Sequence, residues 1–184
     1  MSFKSIIKLM DIKTLVAGIV PVILGSIYSK YAFGKFNILY FILLIVAMIL
    51  IQSATNMVND YSDFKSGADN KKSGNEKALV SGEITSKQVL VTIFLFQLIA
   101  CMIGIFIASQ TSYYILIVAI IGGIISISYA FGPFPISYTP FGEAVAGITM
   151  GIGITTTVIY IQSDAINLNT FLEIGRASCR ERVW

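Results

Sequence analysis

The sequence lacks histidine altogether, has little charge of either sign, and confines its arginine to one end. Of its 184 residues only 12% are charged, whereas a soluble domain carries about 25% charged residues. Polar surface is therefore too scarce to cover a globule in water. The absence of histidine excludes an imidazole base or metal ligand from this chain. No segment follows the plan of a cleavable signal peptide.

The last nine residues differ in composition from the rest of the chain. They hold all three arginines, the only tryptophan and one of the two cysteines, whereas the preceding sequence has ten lysines and no arginine. Residues 173–184 also look like the translation of a common sequencing-library adapter. We expect residues 173–184 to be a non-native tail rather than a genuine basic C-terminus, and the natural protein to continue beyond residue 172.

Long apolar runs indicate lipid as the solvent, because an α-helix needs about 20 residues to cross a bilayer. Five runs qualify: residues 15–33, 36–58, 88–108, 113–131 and 141–161. They predict an all-α, polytopic transmembrane helical bundle. Before the first run, apolar residues alternate with lysines, which predicts a short amphipathic helix on the membrane surface.

The lysines are distributed unevenly among the connections between these runs. Eight lie before the first run or between the second and third, and two lie between the first and second. The positive-inside rule then places the N-terminus and the second-to-third loop in the cytoplasm. Scarce arginine with abundant Ile, Lys and Asn suggests an AT-rich bacterial genome. We therefore expect a multi-pass protein of the bacterial inner membrane.

Four polar residues cluster where the second run ends. Asn56, Asn59, Asp60 and Asp63 are spaced i, i+3, i+4, i+7, which puts them on one face of a helix. Neighbouring carboxylates repel each other at low dielectric unless a cation neutralises them. Mg²⁺ takes oxygen ligands and binds one or two carboxylates together with substrate phosphates. A solvated helix end is the alternative, although Asn56 lies within the expected depth of the span.

Residues 59–69 resemble the first Asp-rich motif, N-D-x-x-D-x-x-x-D, of the UbiA superfamily of prenyltransferases. In this chain the last position of the motif is Gly67, and an aspartate, Asp69, follows two residues later. This variant resembles the motif of the dihydroxynaphthoate branch. The resemblance implies that Asn59 and Asp63 face Mg²⁺, with Asp60 and Asp69 in support. It also implies about nine spans, of which five are present here.

Two further segments carry the resemblance. Lys77, followed by Ser81 and Gly82, resembles the family's basic-residue and Ser-Gly segment near the diphosphate. The family commonly has Arg at the position of Lys77, and Lys offers a point charge without bidentate geometry. The resemblance makes Lys77 a catalytic candidate and Lys65 a second contact to the diphosphate.

The connection between the fourth and fifth runs resembles the Tyr-x-x-Gly-Pro…Leu-Gly-Glu segment of the naphthoate branch. It contains Tyr129, then Gly132 and Pro133, then Gly142 and Glu143. Turn formation alone accounts for Gly and Pro here, and Glu143 can complement a helix N-terminus. The resemblance suggests that the substrate-binding residues are Asn56, Lys65, Asp69, Ser81, Tyr129 and Glu143.

The resemblance implies transfer of a polyprenyl group from its diphosphate to an aromatic acceptor, with Mg²⁺ as cofactor and lipid as surroundings. The acceptor is most like 1,4-dihydroxy-2-naphthoate, with decarboxylation, as in menaquinone biosynthesis; 4-hydroxybenzoate and other acceptors of the family are alternatives. The family's second motif, D-x-x-x-D, is absent from the sequence. We therefore expect residues 1–172 to be the N-terminal part of such a domain, inactive as a fragment.

Other classes of protein fit less well. CDP-alcohol phosphatidyltransferases need D-G-x-x-A-R before their later aspartates, and no such sequence precedes Asp60. A cation-coupled transporter would have its ion site near the midplane of the membrane, whereas these acids lie at its edge. Nucleic-acid binding is unsupported, because the lysines follow membrane topology and form no patch interleaved with aromatic residues.

Overall fold

The computed structural model describes residues 3–67, 78–130, 136 and 139–165, and every regular element within these ranges is helical. The elements are α1 (Phe3–Met10), α2 (Ile12–Phe33), α3 (Ile38–Ser66), α4 (Ser86–Gln110), α5 (Tyr114–Ala130) and α6 (Gly142–Ser163). The predicted tail, residues 173–184, lies outside the described residues. The prediction of an all-α, polytopic helical bundle is confirmed.

Four helices, α2, α3, α4 and α6, are long and apolar enough to cross a membrane. They correspond to four of the five predicted runs. The remaining run, residues 113–131, contains α5, whose 17 described residues lie at the lower end of the roughly 17–25 residues that a span requires. Outward-facing side chains of α4 and α5 are strongly apolar: Phe94 is 65% and Ile120 is 63% exposed. Such surfaces require a non-aqueous environment, so the protein is a multi-pass membrane protein.

Polar residues at the helix ends determine where α3 and α4 begin. The side chain of Asn37 accepts hydrogen bonds from the backbone N–H groups of Leu39 and Tyr40, at 2.9 and 3.2 Å. Thr85 and Gln88 form a reciprocal capping box at the start of α4. These side chains satisfy backbone donors that have no partner within the helix.

Helices α2 and α6 approach each other closely at Gly25. A Cβ atom there would lie 2.8 Å from the carbonyl oxygen of Thr155 and 2.9 Å from Cβ of Val158. Small residues allow this approach, as is common between membrane helices, where close packing replaces the hydrophobic effect. The second half of α2 therefore packs on the second half of α6, and the first half of α2 faces α3 near Gly18.

The connection between α2 and α3 is tied to the end of α6. Lys35 donates from Nζ to the carbonyl oxygen of Ser163 at 2.8 Å. Gln162 accepts from the backbone N–H of Asn37 at 2.7 Å and donates to its carbonyl oxygen at 3.3 Å. These bonds bring the end of α2, the start of α3 and the end of α6 to one side of the bundle, here called the far end.

Helix α6 is not α-helical throughout. Gly142–Gly147 and Thr155–Ser163 are α-helical, and Ile148–Ile154 between them is a π-helix. A π-helix closes its hydrogen bonds one residue later than an α-helix does, so each turn holds an extra residue. The Thr157 hydroxyl donates to the carbonyl oxygen of Gly153 at 2.8 Å.

Candidate functional site

The four polar residues of α3 share one face of a single continuous helix. Helix α3 runs unbroken through Asn56, Asn59, Asp60 and Asp63 to Ser66. With 100° per residue, their side chains fall within an arc of about 100°. All four are half-buried. The spacing argument is confirmed for the helix, which continues beyond the predicted end of the span at residue 58.

The amide group of Asn56 is used within the protein. Its Nδ2 donates to the carbonyl oxygen of Met10 at 2.8 Å and to the Thr14 hydroxyl at 2.6 Å. Met10 ends α1, where backbone carbonyls lack partners within the helix, and the intervening Asp11 has a left-handed φ of 44°. Asn56 therefore holds the corner between α1 and α2, and can meet a ligand only through its Oδ1 atom.

Asp60 and Asp63 provide the two carboxylates of the described part of the face. Both are half-buried, and both already interact with other groups of the protein. Beyond them the helix ends in an exposed turn, with Lys65 on the surface and Gly67 in a left-handed conformation at φ 75°. A cation in the last turn complements the negative end of the helix dipole.

The oxygen donors on this face fit a hard divalent cation. Asn59, Asp60 and Asp63 offer one amide oxygen and two carboxylates, and Mg²⁺ is commonly held by one or two carboxylates together with substrate phosphates. Within the described ranges, no three His, Cys, Asp or Glu side chains form a metal-binding group. A complete ligand set would therefore draw on phosphate oxygens or on other residues. Asp69, predicted to support the motif, lies outside the described residues.

A compact turn follows the undescribed part of the loop. Lys77 lies outside the described residues, and the next residue, Ala78, starts this turn. The Ser81 hydroxyl donates to the carbonyl oxygen of Ala78 at 3.2 Å, and the backbone N–H of Ile84 donates to the same carbonyl at 3.3 Å. Gly82 has a φ of 77°, a conformation that glycine adopts without steric cost. Ser81 itself is exposed.

The turn at residues 78–84 packs against three helices. One buried cluster contains residues from α1, α3, the turn and the start of α4: Leu9, Met57, Ala78, Leu79, Ile84 and Val89. We call it the motif-end cluster. Through Met57, one residue after Asn56, the cluster joins the turn to the end of α3 that carries the polar face.

Tyr129 and Glu143 lie at the same end of the bundle as this face. A second buried cluster joins the end of α4 to the start of α5 and the end of α6, through Ile107, Ala108, Ile115 and Ile161, with residues from the start of α3 packed against it. The end of α5 and the start of α6 must then lie at the end of the bundle that carries the polar face of α3, here called the motif end. Tyr129 is half-buried on the last turn of α5, and Glu143 is exposed on the first turn of α6.

Sequence reasoning missed the contribution of α1 to this end of the protein. Lys8 Nζ lies 3.4 Å from Oε1 of Glu83, on the turn, and Leu9 is buried in the motif-end cluster. The apolar face of α1, predicted to rest on the membrane surface, thus contacts protein. The amphipathic pattern was visible in the sequence, but such a pattern does not reveal which apolar surface the helix packs against.

Comparison with known proteins places the chain in a family. A model of the UbiA prenyltransferase family matches residues 18–173. The 1,4-dihydroxy-2-naphthoate octaprenyltransferase of Bacillus subtilis is 36% identical over 160 residues, which is 86% of this chain and 51% of that protein. The UbiA prenyltransferase domain-containing protein 1 of Xenopus tropicalis is 30% identical over 137 residues, 73% of this chain and 39% of that protein.

The chain thus spans about half the length of the first of these relatives and less of the second. The match nevertheless includes α3 with its polar face, the turn at 78–84, and α4 to α6. On this evidence the chain belongs to the UbiA prenyltransferase family.

Proposed function

We propose that this chain is part of a membrane prenyltransferase, which transfers a polyprenyl group from its diphosphate to an aromatic acceptor. The observation that carries the proposal is the half-buried face of Asn59, Asp60 and Asp63 on α3, in a chain that belongs to the UbiA prenyltransferase family. Acidic groups are costly within a membrane and are retained there for a function.

In this reaction the allylic C–O bond of the donor breaks, and its electron pair leaves with the diphosphate. A carbon of the electron-rich aromatic ring then forms a bond to the allylic cation, and the ring loses a proton or carbon dioxide. Mg²⁺, when bound, would neutralise the charge that develops on the leaving diphosphate. We propose Asn59, Asp60 and Asp63 as its ligands.

The roles proposed for the remaining residues rest on the family resemblance and, for the described ones, also on their positions. Lys77 and Lys65 would place positive charge near the diphosphate, and Ser81 would offer a hydroxyl beside it. Asn56 would contact substrate through its Oδ1 atom, Asp69 would support the Asp-rich motif, and Tyr129 and Glu143 would complete the site from α5 and α6. Half-buried surroundings strengthen such interactions relative to water.

We propose 1,4-dihydroxy-2-naphthoate as the acceptor, with loss of its carboxylate as carbon dioxide, and hence a role in menaquinone biosynthesis. Support comes from the name of the Bacillus subtilis relative and from the Gly67 and Asp69 pattern described above. The alternative is 4-hydroxybenzoate or another aromatic acceptor of the family.

We further propose that the N-terminus lies in the cytoplasm of a bacterial cell and that the motif end faces the same side. The lysine distribution supports this orientation. We also take residues 173–184 to be foreign sequence. The match to the family ends at residue 173, and the residue usage changes at Arg176, three residues later.

The test uses the complete gene, expressed in membranes and assayed for Mg²⁺-dependent transfer of a labelled polyprenyl group to 1,4-dihydroxy-2-naphthoate. Asp63→Asn removes one carboxylate from the α3 face at nearly constant volume. Asp164→Asn is the matched control, because Asp164 is exposed after the end of α6 at the far end of the bundle. We expect Asp63→Asn to lower kcat/KM by on the order of 100-fold or more, and Asp164→Asn to leave it unchanged within about twofold.

Each other outcome rejects a defined part of the proposal. Transfer to 4-hydroxybenzoate alone would replace the acceptor and retain the reaction. Equal activity of Asp63→Asn and wild type would remove the α3 face from catalysis. A folded wild type that transfers to no aromatic acceptor would overturn the enzyme assignment; cation-driven uptake into vesicles would then support a transporter.

A further inference from the structure

Helix α1 lies over the motif end of the bundle, and its apolar face packs against protein. Leu9 is only 2% exposed and belongs to the motif-end cluster with Met57 of α3, residues of the turn, and Val89 of α4. Ile6 and Met10, on the same side of α1, pack against this cluster. Since α1 is only eight residues long, such a helix is unstable alone and depends on this packing.

Polar contacts attach α1 both to α3 and to the turn at residues 78–84. On one side, Asn56 of α3 donates to the carbonyl oxygen of Met10 at 2.8 Å. On the other side, Lys8 pairs with Glu83 of the turn at 3.4 Å. Helix α1 therefore connects the polar face of α3 to the turn at residues 78–84, although these two segments also meet through Met57.

Within the described residues, the contacts of the turn divide into internal backbone hydrogen bonds and buried side-chain packing. Its backbone hydrogen bonds are internal, from Gly82 N–H to the carbonyl of Leu79 and from Ile84 N–H to that of Ala78. These bonds fix its shape but do not dock it. Docking comes from the buried side chains of Ala78, Leu79 and Ile84 in the motif-end cluster, of which Leu9 is also a member.

We propose that α1 is a positioning element of the reaction site. Leu9 and Lys8 hold the turn against α3, which places Ser81 for the diphosphate of the donor. This proposal rests on the proposed function. Leu9 and Lys8 act through the turn rather than by touching substrate, so their loss should weaken binding of the prenyl diphosphate and spare the aromatic acceptor.

The kinetic test compares Leu9→Ala with Ile12→Ala in the complete gene product. Ile12 is an apolar residue three positions away, but it is 58% exposed. With Leu9→Ala we expect the KM for the polyprenyl diphosphate to rise on the order of tenfold, and the KM for the acceptor to stay within about twofold. Ile12→Ala should leave both values within about twofold of wild type.

A second readout needs no activity. Ala78 is 1% exposed, so Ala78→Cys, in a Cys101→Ala background, reports whether the turn is docked. We expect a membrane-impermeant maleimide to label this cysteine on the order of tenfold faster when Leu9→Ala is added. Adding Ile12→Ala instead should not change the rate.

The ion pair allows a rescue experiment should Leu9→Ala fail to fold. Lys8→Glu places two carboxylates together, and Glu83→Lys places two cations together. Each single variant should raise the donor KM by about three- to fivefold, less than Leu9→Ala does because the pair is exposed. The double variant restores opposite charges and should return the donor KM towards wild type.

Several results would overturn the positioning role. The first is that Leu9→Ala changes neither the labelling rate nor the donor KM. The second is that Leu9→Ala speeds labelling but leaves the donor KM unchanged. The third is that Leu9→Ala raises the KM for the donor and the KM for the acceptor equally. A wild type without prenyl transfer would instead refute the proposed function. In that case the labelling rates would still decide whether α1 holds the turn.

Discussion

Replacing Gly25 by alanine tests the close contact between α2 and α6. The new methyl carbon would lie 2.8 Å from the carbonyl oxygen of Thr155 and 2.9 Å from both Cβ and Cγ1 of Val158. Ordinary carbon contacts are about 3.5–4.0 Å. The oxygen belongs to the backbone, so neither a side-chain rotation nor a small local shift can make room, and α2 and α6 must move apart.

The size of the effect follows from two opposing contributions. Overpacking a well-packed contact costs about 1–3 kcal/mol. Alanine also favours the helical conformation over glycine by about 1 kcal/mol, which partly offsets this cost. Gly104, within α4, supplies the matched control, because a Cβ there meets nothing within 4 Å. The helix-propensity gain is shared by both variants, so their difference in stability isolates the overpacking cost.

Equilibrium unfolding in mixed detergent micelles would measure this difference. We expect Gly25→Ala to be less stable than Gly104→Ala by about 1–3 kcal/mol, and Gly104→Ala to be at least as stable as wild type. If Gly25→Ala and Gly104→Ala had the same free energy of unfolding, α2 and α6 would not approach each other as closely as described. A loss of stability in both variants would instead show that glycine is needed for another reason.

Two further substitutions test the polar contacts at the two ends of the bundle. Asn56→Leu leaves the end of α1 without its hydrogen-bond donor, so we expect the free energy of unfolding to fall by about 1–3 kcal/mol; wild-type stability would contradict the contacts to Met10 and Thr14. Gln162→Leu removes the bonds to Asn37 and should cost about 1–2 kcal/mol. Because Gln162 lies at the far end, its loss should leave both KM values unchanged, and a selective rise in the donor KM would refute this separation.

Much of the fold follows from local sequence patterns. Apolar length was enough to predict the spans that became α2, α3, α4 and α6. The spacing of Asn56, Asn59, Asp60 and Asp63 was enough to predict a shared helix face, which the structure confirms. Hydropathy placed the end of the second run at residue 58, because polar residues begin there, but they do not interrupt the helix. Hydropathy reports the solvent, whereas backbone hydrogen bonds determine where the helix ends.

Contacts between distant segments could not be predicted in this way. The bonds from Asn56 to Met10, from Lys8 to Glu83 and from Asn37 to Gln162 join residues 46, 75 and 125 positions apart. Such pairings depend on the tertiary arrangement, which a single sequence does not reveal. The apolar face of α1 illustrates the difficulty, since lipid and protein partners select the same residues.

The candidate site was therefore selected from the sequence, whereas the contacts that support it were found only in the structure. The types of residue and the family resemblance were sufficient to select the α3 face and Ser81. They were not sufficient to show that the amide nitrogen of Asn56 is occupied by the α1–α2 corner. The functional roles of all the candidate site residues remain predictions, and Asp69 and Lys77 also lie outside the described residues.

The π-helix at Ile148–Ile154 determines how far the first half of α6 is rotated about the helix axis relative to the second half. The second half, Thr155–Ser163, is anchored against α2 through Gly25, and the first half carries Glu143. A uniform α-helix of the same length would shift this phase by about one residue, or 100° of rotation. Glu143 would then point to a different side of α6 although its neighbours in sequence were unchanged. The π-helix thus determines the direction in which the Glu143 carboxylate points around the axis of α6. The length and composition of the helix alone do not determine this direction.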